Sequence, residues 1–517
     1  MKKLAIFVFL FGFFLVPLQV EASTPRQHRI GDMGFHGGIS ESRHLPLTSE
    51  TIILQQGNNN RNNNVTISME YREFVFLDLV PDVFEGTMEI RNGSPGVNTT
   101  AGTFRVEHRI FPNESTPDDG VQINRTMIFD VNYFREGNFM IYTYIINNNT
   151  WRDEITMSDG TVFTLDHRRS SFTISIIEDR RPGVHYYRGD YAARLFYTDA
   201  DGNLVTVVKT GEFYGYSSAW SATETHRVDV TVDAGWGAMT YQIRPSVSVN
   251  KILQFVHNEP TVISFEGNFR EVHQSFAGLR FDIFTRPHAF WDMPTFGTYN
   301  LDTFNVFEQL FAPDMSHIRG HSAEDDIHRL FAMQILQGDP RFFVPEQVIT
   351  RGQFMTALAR AINLPVEEPP NARGRAAEVH IFTDVSTERP EFRYIQAIFN
   401  HRVAFGRGDG SYFAFDAPIS RQEAVSTIIR ALGLTRMGVD LSILSPFADS
   451  NEIAYWAIRY TNIALGLGII GPDANGNFHP NLAVSNAQAA TLLNTMINYL
   501  REDLMIHYAD EIVNIVR

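Results

Sequence analysis

Ile349-Thr350-Arg351-Gly352-Gln353, Ile419-Ser420-Arg421-Gln422-Glu423 and Val484-Ser485-Asn486-Ala487-Gln488 are three versions of one pattern in the last third of the chain. Phe343, Phe413 and Phe478 each stand eight positions before the third residue of their segment. A register kept while the intervening sequence changes means one supersecondary unit used three times. Thr350, Ser420 and Ser485 each precede a run with apolar residues at helical spacing, such as Ala424, Ile428, Ile429 and Leu432. Three positions on stand Gln353, Glu423 and Gln488. The pairing predicts a reciprocal cap, with the hydroxyl accepting from the third helical N–H and the Gln or Glu reaching back. The stripes should face a shared core.

A second mark lies upstream at a fixed offset. Phe382-Thr383-Asp384 begins 39 positions before Arg421, and Phe447-Ala448-Asp449 begins 39 before Asn486. Between the marks run a helical stretch, as from Trp456 to Leu467, and a Gly-rich turn, as in Gly471-Pro472-Asp473-Ala474-Asn475-Gly476. Each unit reads as helix, loop, capped helix. Arginine is an odd choice at 351 and 421, because the first helical turn already presents partial positive charge. Two readings stay open. The side chain is solvated or paired to an acid such as Asp384, or the helix N-terminus and the guanidinium together hold an anion.

These residues resemble the S-layer homology family, whose repeats open on a Phe-x-Asp-Val-like element and close on Thr-Arg-Ala-Glu just inside a helix. The counterparts are Phe382-Thr383-Asp384-Val385 with Ser420-Arg421-Gln422-Glu423, and Phe447-Ala448-Asp449 with Trp456-Ala457. The resemblance covers approximately residues 311–500. It implies an all-α module of three repeats that anchors exported proteins, without a covalent bond, to secondary cell-wall polymer, often pyruvylated, or to a peptidoglycan-linked glycan. It carries polymer contact onto Arg351 and Arg421, with Thr350, Ser420, Asp384, Asp449 and Trp456 around them. Two departures stand out. Asn486 replaces the family's Arg or Lys in the third repeat, and Phe311-Ala312-Pro313-Asp314 is one residue out of register in the first. Binding is therefore expected at two sites rather than three. The stretch from Val366 to His380 looks like an enlarged connection between the first two repeats.

The N-terminus opens with Lys2-Lys3, an apolar run from Leu4 to Val16, and Val20-Glu21-Ala22, the charge and apolar length of a secretory signal cut after Ala22. The run is shorter than the ~20 apolar residues a spanning helix needs, and no transmembrane anchor is expected after cleavage. The chain has 517 residues and no cysteine, so disulfides, thiol catalysis and Cys-bound metal are excluded. A formal charge of −16 argues against nucleic acid as a partner. The four lysines are Lys2, Lys3, Lys209 and Lys251, and the bias to arginine has no physical account here.

From about Thr51 to Arg286 the period changes from 3.6 to 2. Val65-Thr66-Ile67-Ser68-Met69-Glu70-Tyr71 and Arg227-Val228-Asp229-Val230-Thr231-Val232 alternate, with turn clusters such as Asn92-Gly93-Ser94-Pro95 and Asp201-Gly202 between strands. This predicts an all-β region of one or two sandwich-like units. Expected domains are a signal at 1–22, β units at 23–170 and 171–305, repeats at 306–370, 378–440 and 443–505, and a C-terminal helix at 506–517. The first helix is expected to begin near Thr303-Phe304-Asn305-Val306-Phe307, and Asn58 to Asn64 reads as an exposed loop.

Catalytic signals are thin. Asp199-Ala200-Asp201-Gly202-Asn203 has calcium-loop spacing, but Thr210 stands where a Glu is needed, and a hairpin turn explains it. The same holds for Asp473-Ala474-Asn475-Gly476-Asn477. The histidines show no metal-site spacing. Acidic pairs such as Glu70 with Glu73, or Asp229 with Asp233, could flank a glycosidic bond, although alternating acids on a strand usually mark its wet face. Phe213-Tyr214-Gly215-Tyr216, with Trp220 and Trp236, could stack sugars or be core. The leading reading is a wall-anchored surface protein with no enzymatic activity, no cofactor and no metal. A polysaccharide-active enzyme, a carbohydrate-binding protein, or a lattice-forming or adhesive protein that self-assembles through β edges are the alternatives.

Overall fold

A computed structural model describes residues 35–40, 53–54, 65–93, 100–114, 116–256, 268–301, 306–367, 382–434 and 446–508. In chain order its strands are β1 (Gly38–Ser40), β2 (Ile53–Leu54), β3 (Val65–Val75), β4 (Asp82–Asn92), β5 (Ala101–Phe111), β6 (Gln122–Glu136), β7 (Phe139–Ile146), β8 (Arg152–Thr156) and β9 (Val162–Leu165). They continue as β10 (Ser171–Arg180), β11 (Val184–Thr198), β12 (Leu204–Ser218), β13 (Ser221–Ala234), β14 (Gly237–Val256), β15 (Asn268–Thr285), β16 (Phe296–Asn300), β17 (Val306–Phe311) and β18 (Val366–Glu367). The helices are α1 (Glu324–Ala332), α2 (Arg351–Ala361), α3 (Phe392–Asn400), α4 (Arg421–Ala431), α5 (Tyr455–Gly466) and α6 (Asn486–Asn498).

Sixteen of the strands form one antiparallel sheet, along the path β1-β3-β4-β5-β6-β7-β10-β11-β12-β13-β14-β15-β16. Strands β8 and β9 bridge β6 to β11, so that β6, β7, β10, β11, β9 and β8 close a ring. Side chains alternate as period 2 requires: in β10 Phe172, Ile174 and Ile176 are buried while Ser171, Thr173 and Ser175 are exposed. The sheet curls until its first strands meet its last. Phe74 packs edge-on against Phe281 at 4.7 Å, Phe76 stacks on Tyr241 at 4.0 Å, and the Tyr299 hydroxyl donates to Glu85 at 2.7 Å.

Residues 35–40 lie inside this curl, all of them buried. The Phe35 ring is ringed by Tyr144, Tyr191, Phe213 and His226 at centroid distances of 5.4–6.2 Å. Lys209 donates to the His36 carbonyl at 2.9 Å, and the His36 and His108 rings share a hydrogen bond of 3.1 Å. Gly38 is required here, since a Cβ would come within 2.3 Å of the Arg72 carbonyl oxygen. Beside the segment, Arg125 donates to Asp153 at 2.7 Å and to Glu73 at 2.8 Å, with all three side chains buried. Tyr197 and Tyr71 donate to the same two carboxylates.

Sequence reading and structure differ in two places. Of the one or two β units expected, hydrogen bonding gives a single sheet: Ser171 opens β10, which pairs with β7 on one side and β11 on the other. The stretch around Val306-Phe307 forms strand β17 against β15, not a helix. Pairing to a distant strand overrides local helical spacing in so short a run. The aromatic cluster takes the core reading at Phe213, Tyr216 and Trp220, with Trp236 well exposed. The signal segment, the Asn-rich stretch, most of the connection from Val366 to His380 and the tail after Tyr508 lie outside the described residues.

The end of the sheet is continuous with the helical core: Val184, Tyr186, Tyr216 and Trp220 share one apolar cluster with the repeats. Trp220 Nε1 donates to the Ala361 carbonyl at 2.8 Å, Gly183 N to that of Ala431 at 2.8 Å, and Ser221 Oγ to that of Leu500 at 2.6 Å. No described helix is long and apolar enough to cross a membrane.

Candidate polymer-binding site

The reciprocal cap forms in all three repeats. Thr350, Ser420 and Ser485 accept from the backbone N–H of Gln353, Glu423 and Gln488, whose side chains return to the cap N–H. The two N–H groups before that one are also taken. Arg351 N and Gly352 N donate to the carbonyls of Ala417 and Phe415, in the second repeat. Arg421 N and Gln422 N donate to Leu482 and Pro480, in the third, and Asn486 N and Ala487 N donate to Gln347 and Pro345, in the first. Each helix start is thus sewn to the next repeat's loop, and the cycle closes after three steps.

This changes one expectation. Helix N–H groups beside the arginines were expected to help hold an anion, but the repeat-to-repeat bonds occupy them. Any anion must therefore be met by side chains. The two Phe-x-Asp acids are occupied as well: Asp384 accepts from Phe413 N and Phe415 N at 2.7 and 2.9 Å, and Asp449 from Phe478 N and His479 N at 2.8 and 2.6 Å. They hold the Gly-rich turn in place. In the first repeat, where that acid is out of register, the His317 ring reaches the Phe343 carbonyl at 2.8 Å instead.

The two arginines have different surroundings. Arg351 is 6% exposed. It donates to the Phe405 carbonyl at 3.0 Å, pairs with Glu423 at 3.4 Å and lies over the Phe413 ring at 5.0 Å, while its buried Nε has no hydrogen-bond partner. Arg421 lies over the Phe478 ring at 5.4 Å, and its buried Nε has no hydrogen-bond partner. Burial pulls its guanidinium down from the ordinary range, opposed by the fields of Asp449 and Asp473.

Beside Arg421 opens a groove of about 270 Å³ whose lining includes Ser420, Gln422, Glu423, Arg407, Asn481 and Trp456. Trp456, 47% exposed, offers an indole face at its side. Burial raises the Glu423 carboxyl, but the Ser420 N–H and the charges of Arg351 and Arg407 outweigh it, so Glu423 is held below its ordinary range. Arg407 Nη2 meets it at 2.7 Å. Of the residues expected from sequence, Ser420 and Trp456 line this groove; Arg421 stands in the chain between the lining residues Ser420 and Gln422 but, like Thr350, Arg351, Asp384 and Asp449, is not itself among them. Sequence reading missed Arg407, Gln422, Glu423 and Asn481. Arg407 sits in Gly406-Arg407-Gly408-Asp409-Gly410, and a cation within a Gly-rich turn just before the motif is the signal that could have named it.

The two stretches with calcium-loop spacing are turns. Asp199 accepts from the backbone N–H of Asp201 and Asn203, and Asp473 from those of Asn475 and Asn477, as hairpin turns do. No group of three or more potential metal ligands occurs among the described residues.

The sequence profile of the S-layer homology domain matches residues 314–355 and 446–490, in the first and third repeats. The chain is 28% identical over 188 residues to the surface-layer 125 kDa protein of Lysinibacillus sphaericus, covering 36% of this chain and 15% of that one. It is 29% identical over 175 residues to an S-layer protein of Bacillus licheniformis, covering 34% and 18%. It is 25% identical over 178 residues to the exoglucanase XynX of Acetivibrio thermocellus, covering 34% and 15%. The chain thus spans under a fifth of the length of each of these relatives. With three interlocked repeats, the matched profile and these likenesses, the chain is an S-layer homology domain-containing protein of the bacterial cell surface.

Proposed function

We propose that the seam between the second and third repeats holds an anionic secondary cell-wall polymer, and that the repeats so anchor an exported chain whose β region is displayed outward. The observation that carries this is Arg421, a guanidinium with no ion pair among the described residues, whose chain neighbours Ser420 and Gln422 line an open groove. A polymer carboxylate, such as a pyruvyl ketal, gains a charge-assisted fork there. Arg407, held by Glu423 at 2.7 Å, shapes the wall of the groove, and Trp456 stands beside it as a surface for the sugar ring that carries the acid. Arg351, already paired, belongs to the frame of the groove rather than to its ligand set. The β region is what this anchor displays, and its buried acids serve as internal ties: Glu73 and Asp153 are bound by Arg125, Glu224 by His226, and Glu271 by Lys251 and His273.

Pull-down of purified protein with isolated wall polymer, native and stripped of acidic groups, tests the reading. Wild type should bind the native form and lose most binding to the stripped one, and Arg421→Ala should behave on native polymer as wild type does on stripped. Equal binding of both forms by wild type would sink it. In the native host the protein should pellet with cell walls and be released by chaotrope.

A further inference from the structure

Past the expected signal the chain carries two lysines, Lys209 and Lys251, and draws the rest of its fixed positive charge from arginine. Both lysines lie in the β region, each beside a glutamate. Charge alone does not call for lysine there, since Arg125 makes the buried pairs with Glu73 and Asp153. What lysine offers and arginine does not is an amine that can give up its proton and attack a carbonyl carbon.

Lys251 and Glu271 are each 1% exposed, and Nζ stands 3.2 Å from Oε1. The two face each other diagonally across β14 and β15, where Lys251 is opposite His273 and Leu253 is opposite Glu271. His273, also buried, brings Nε2 to 2.9 Å from the same Oε1. The Trp220 ring covers Nζ at 5.3 Å. An amine, a carboxyl group and a proton carrier thus meet at one oxygen, away from water. In solution such a pair stays ionised and does not condense. Inside a protein, passing the proton from ammonium to carboxylate removes two charges that are costly to bury and leaves the neutral amine and acid that can react. Holding them in contact supplies the proximity that a bimolecular encounter lacks.

Lys209 has no such arrangement. Its Nζ is 3.9 Å from Glu73 and donates to the His36 carbonyl at 2.9 Å. Glu73 accepts from Arg125 at 2.8 Å, and an amide there would take from Arg125 one of its two counter-charges.

We propose that Lys251 and Glu271 are joined by an amide bond between their side chains. Nζ, as the free amine, attacks Cδ of the protonated carboxyl group and the N–C bond forms. His273 takes a proton from Nζ and returns one to Oε1, the C–Oε1 bond breaks, and one water leaves. No oxidant or cofactor is needed. The bond ties β14 to β15 where the sheet meets the repeats: Lys251 N donates to the Trp220 carbonyl at 2.9 Å, and Trp220 Nε1 to that of Ala361 at 2.8 Å. Pull on an anchored module therefore enters the sheet at two strands that are covalently tied. This inference stands apart from what the repeats bind.

Intact-mass spectrometry of the full mature chain, purified and then denatured, tests it. Wild type should be lighter than its sequence mass by one water, and a tryptic digest should contain a branched peptide joining the Lys251 and Glu271 fragments. Lys251→Arg, which keeps the charge, and Glu271→Gln, read in the digest, should lack that branched peptide. His273→Ala should slow bond formation about tenfold or more, read as the fraction of unjoined chain against time after refolding, and imidazole in the buffer should restore part of the rate. A purely structural His273 would show no such rescue. Wild type at its full sequence mass overturns the proposal, as does a lost water that the digest places at Lys209 or at any pair other than Lys251 and Glu271.

Discussion

The sheet and the repeats both take guanidinium groups inside, and they treat them in opposite ways. In the sheet, Arg125 meets Glu73 and Asp153 within 2.8 Å and is complete without any ligand. In the repeats, Arg421 meets the face of Phe478 and leaves Nε unpartnered. Arg351 occupies the same motif position as Arg421 and shares its unpartnered Nε, yet differs from it in that Glu423 reaches its Nη1. Position in a repeat therefore does not decide whether an arginine binds ligand. What decides it is whether the fold already supplies a counter-charge.

Four measurements can break or sharpen that contrast. The largest effect belongs to the sheet. Arg125→Leu strands two buried carboxylates and should cost about 3–5 kcal/mol in urea unfolding, with wall binding by the folded fraction unchanged. An effect below ~1 kcal/mol would mean that Glu73 and Asp153 find other partners. Next come the twin arginines. Arg421→Ala should weaken polymer binding by about 1.5–3 kcal/mol with little change in melting temperature, and Arg351→Ala should lower stability by a similar amount. If both variants lose binding and neither loses stability, the distinction drawn between them is wrong.

The third is a pH effect. Burial first, then the charges of Arg125, His108 and Lys209, hold His36 well below its usual 6.5. The folded chain keeps it neutral while the unfolded chain takes up a proton below that pH. Stability is thus full above pH 6.5 and falls as pH drops beneath it, by at most ~1.4 kcal/mol per pH unit for one proton. Thermal melts from pH 7.5 to 5 on wild type and His36→Gln should differ in slope, and identical slopes would remove His36 from the account. The smallest effect is at a cap: Ser485→Ala should cost about 1 kcal/mol, read from chemical denaturation, without altering which polymer form is bound.

Much of the repeat module was legible because its signals are local. A hydroxyl and a Gln or Glu three residues on define a cap within one turn of helix, and all three caps formed. The Phe-x-Asp mark was equally visible, but its role was not: Asp384 and Asp449 bind backbone N–H groups about thirty positions on, and only the folded turn brings those near. The pairing of Arg351 with Glu423 spans 72 residues and leaves no trace in spacing. Within the β region, alternation and turn residues gave the strands, while their joining into one sheet depends on pairings that periodicity does not encode, such as β9 with β11. Arg407 was missed because a Gly-rich turn looks the same whether or not its cation faces a groove.

Residues 35–40 carry a consequence for the order of assembly. The His36 carbonyl receives its hydrogen bond from Lys209, 173 positions away, and Phe35 sits among rings contributed by β7, β11, β12 and β13. The cavity that takes this segment does not exist until those strands have paired. A chain emerging N-terminus first must keep its earliest portion unplaced while most of the sheet is still to come, then accept it as a closing wedge. Contacts so distant in sequence make folding slow. Maturation of the β region is thus timed by the arrival of its later strands, and a chain stalled before β13 would present an open, aromatic-lined seat with its own plug still outside.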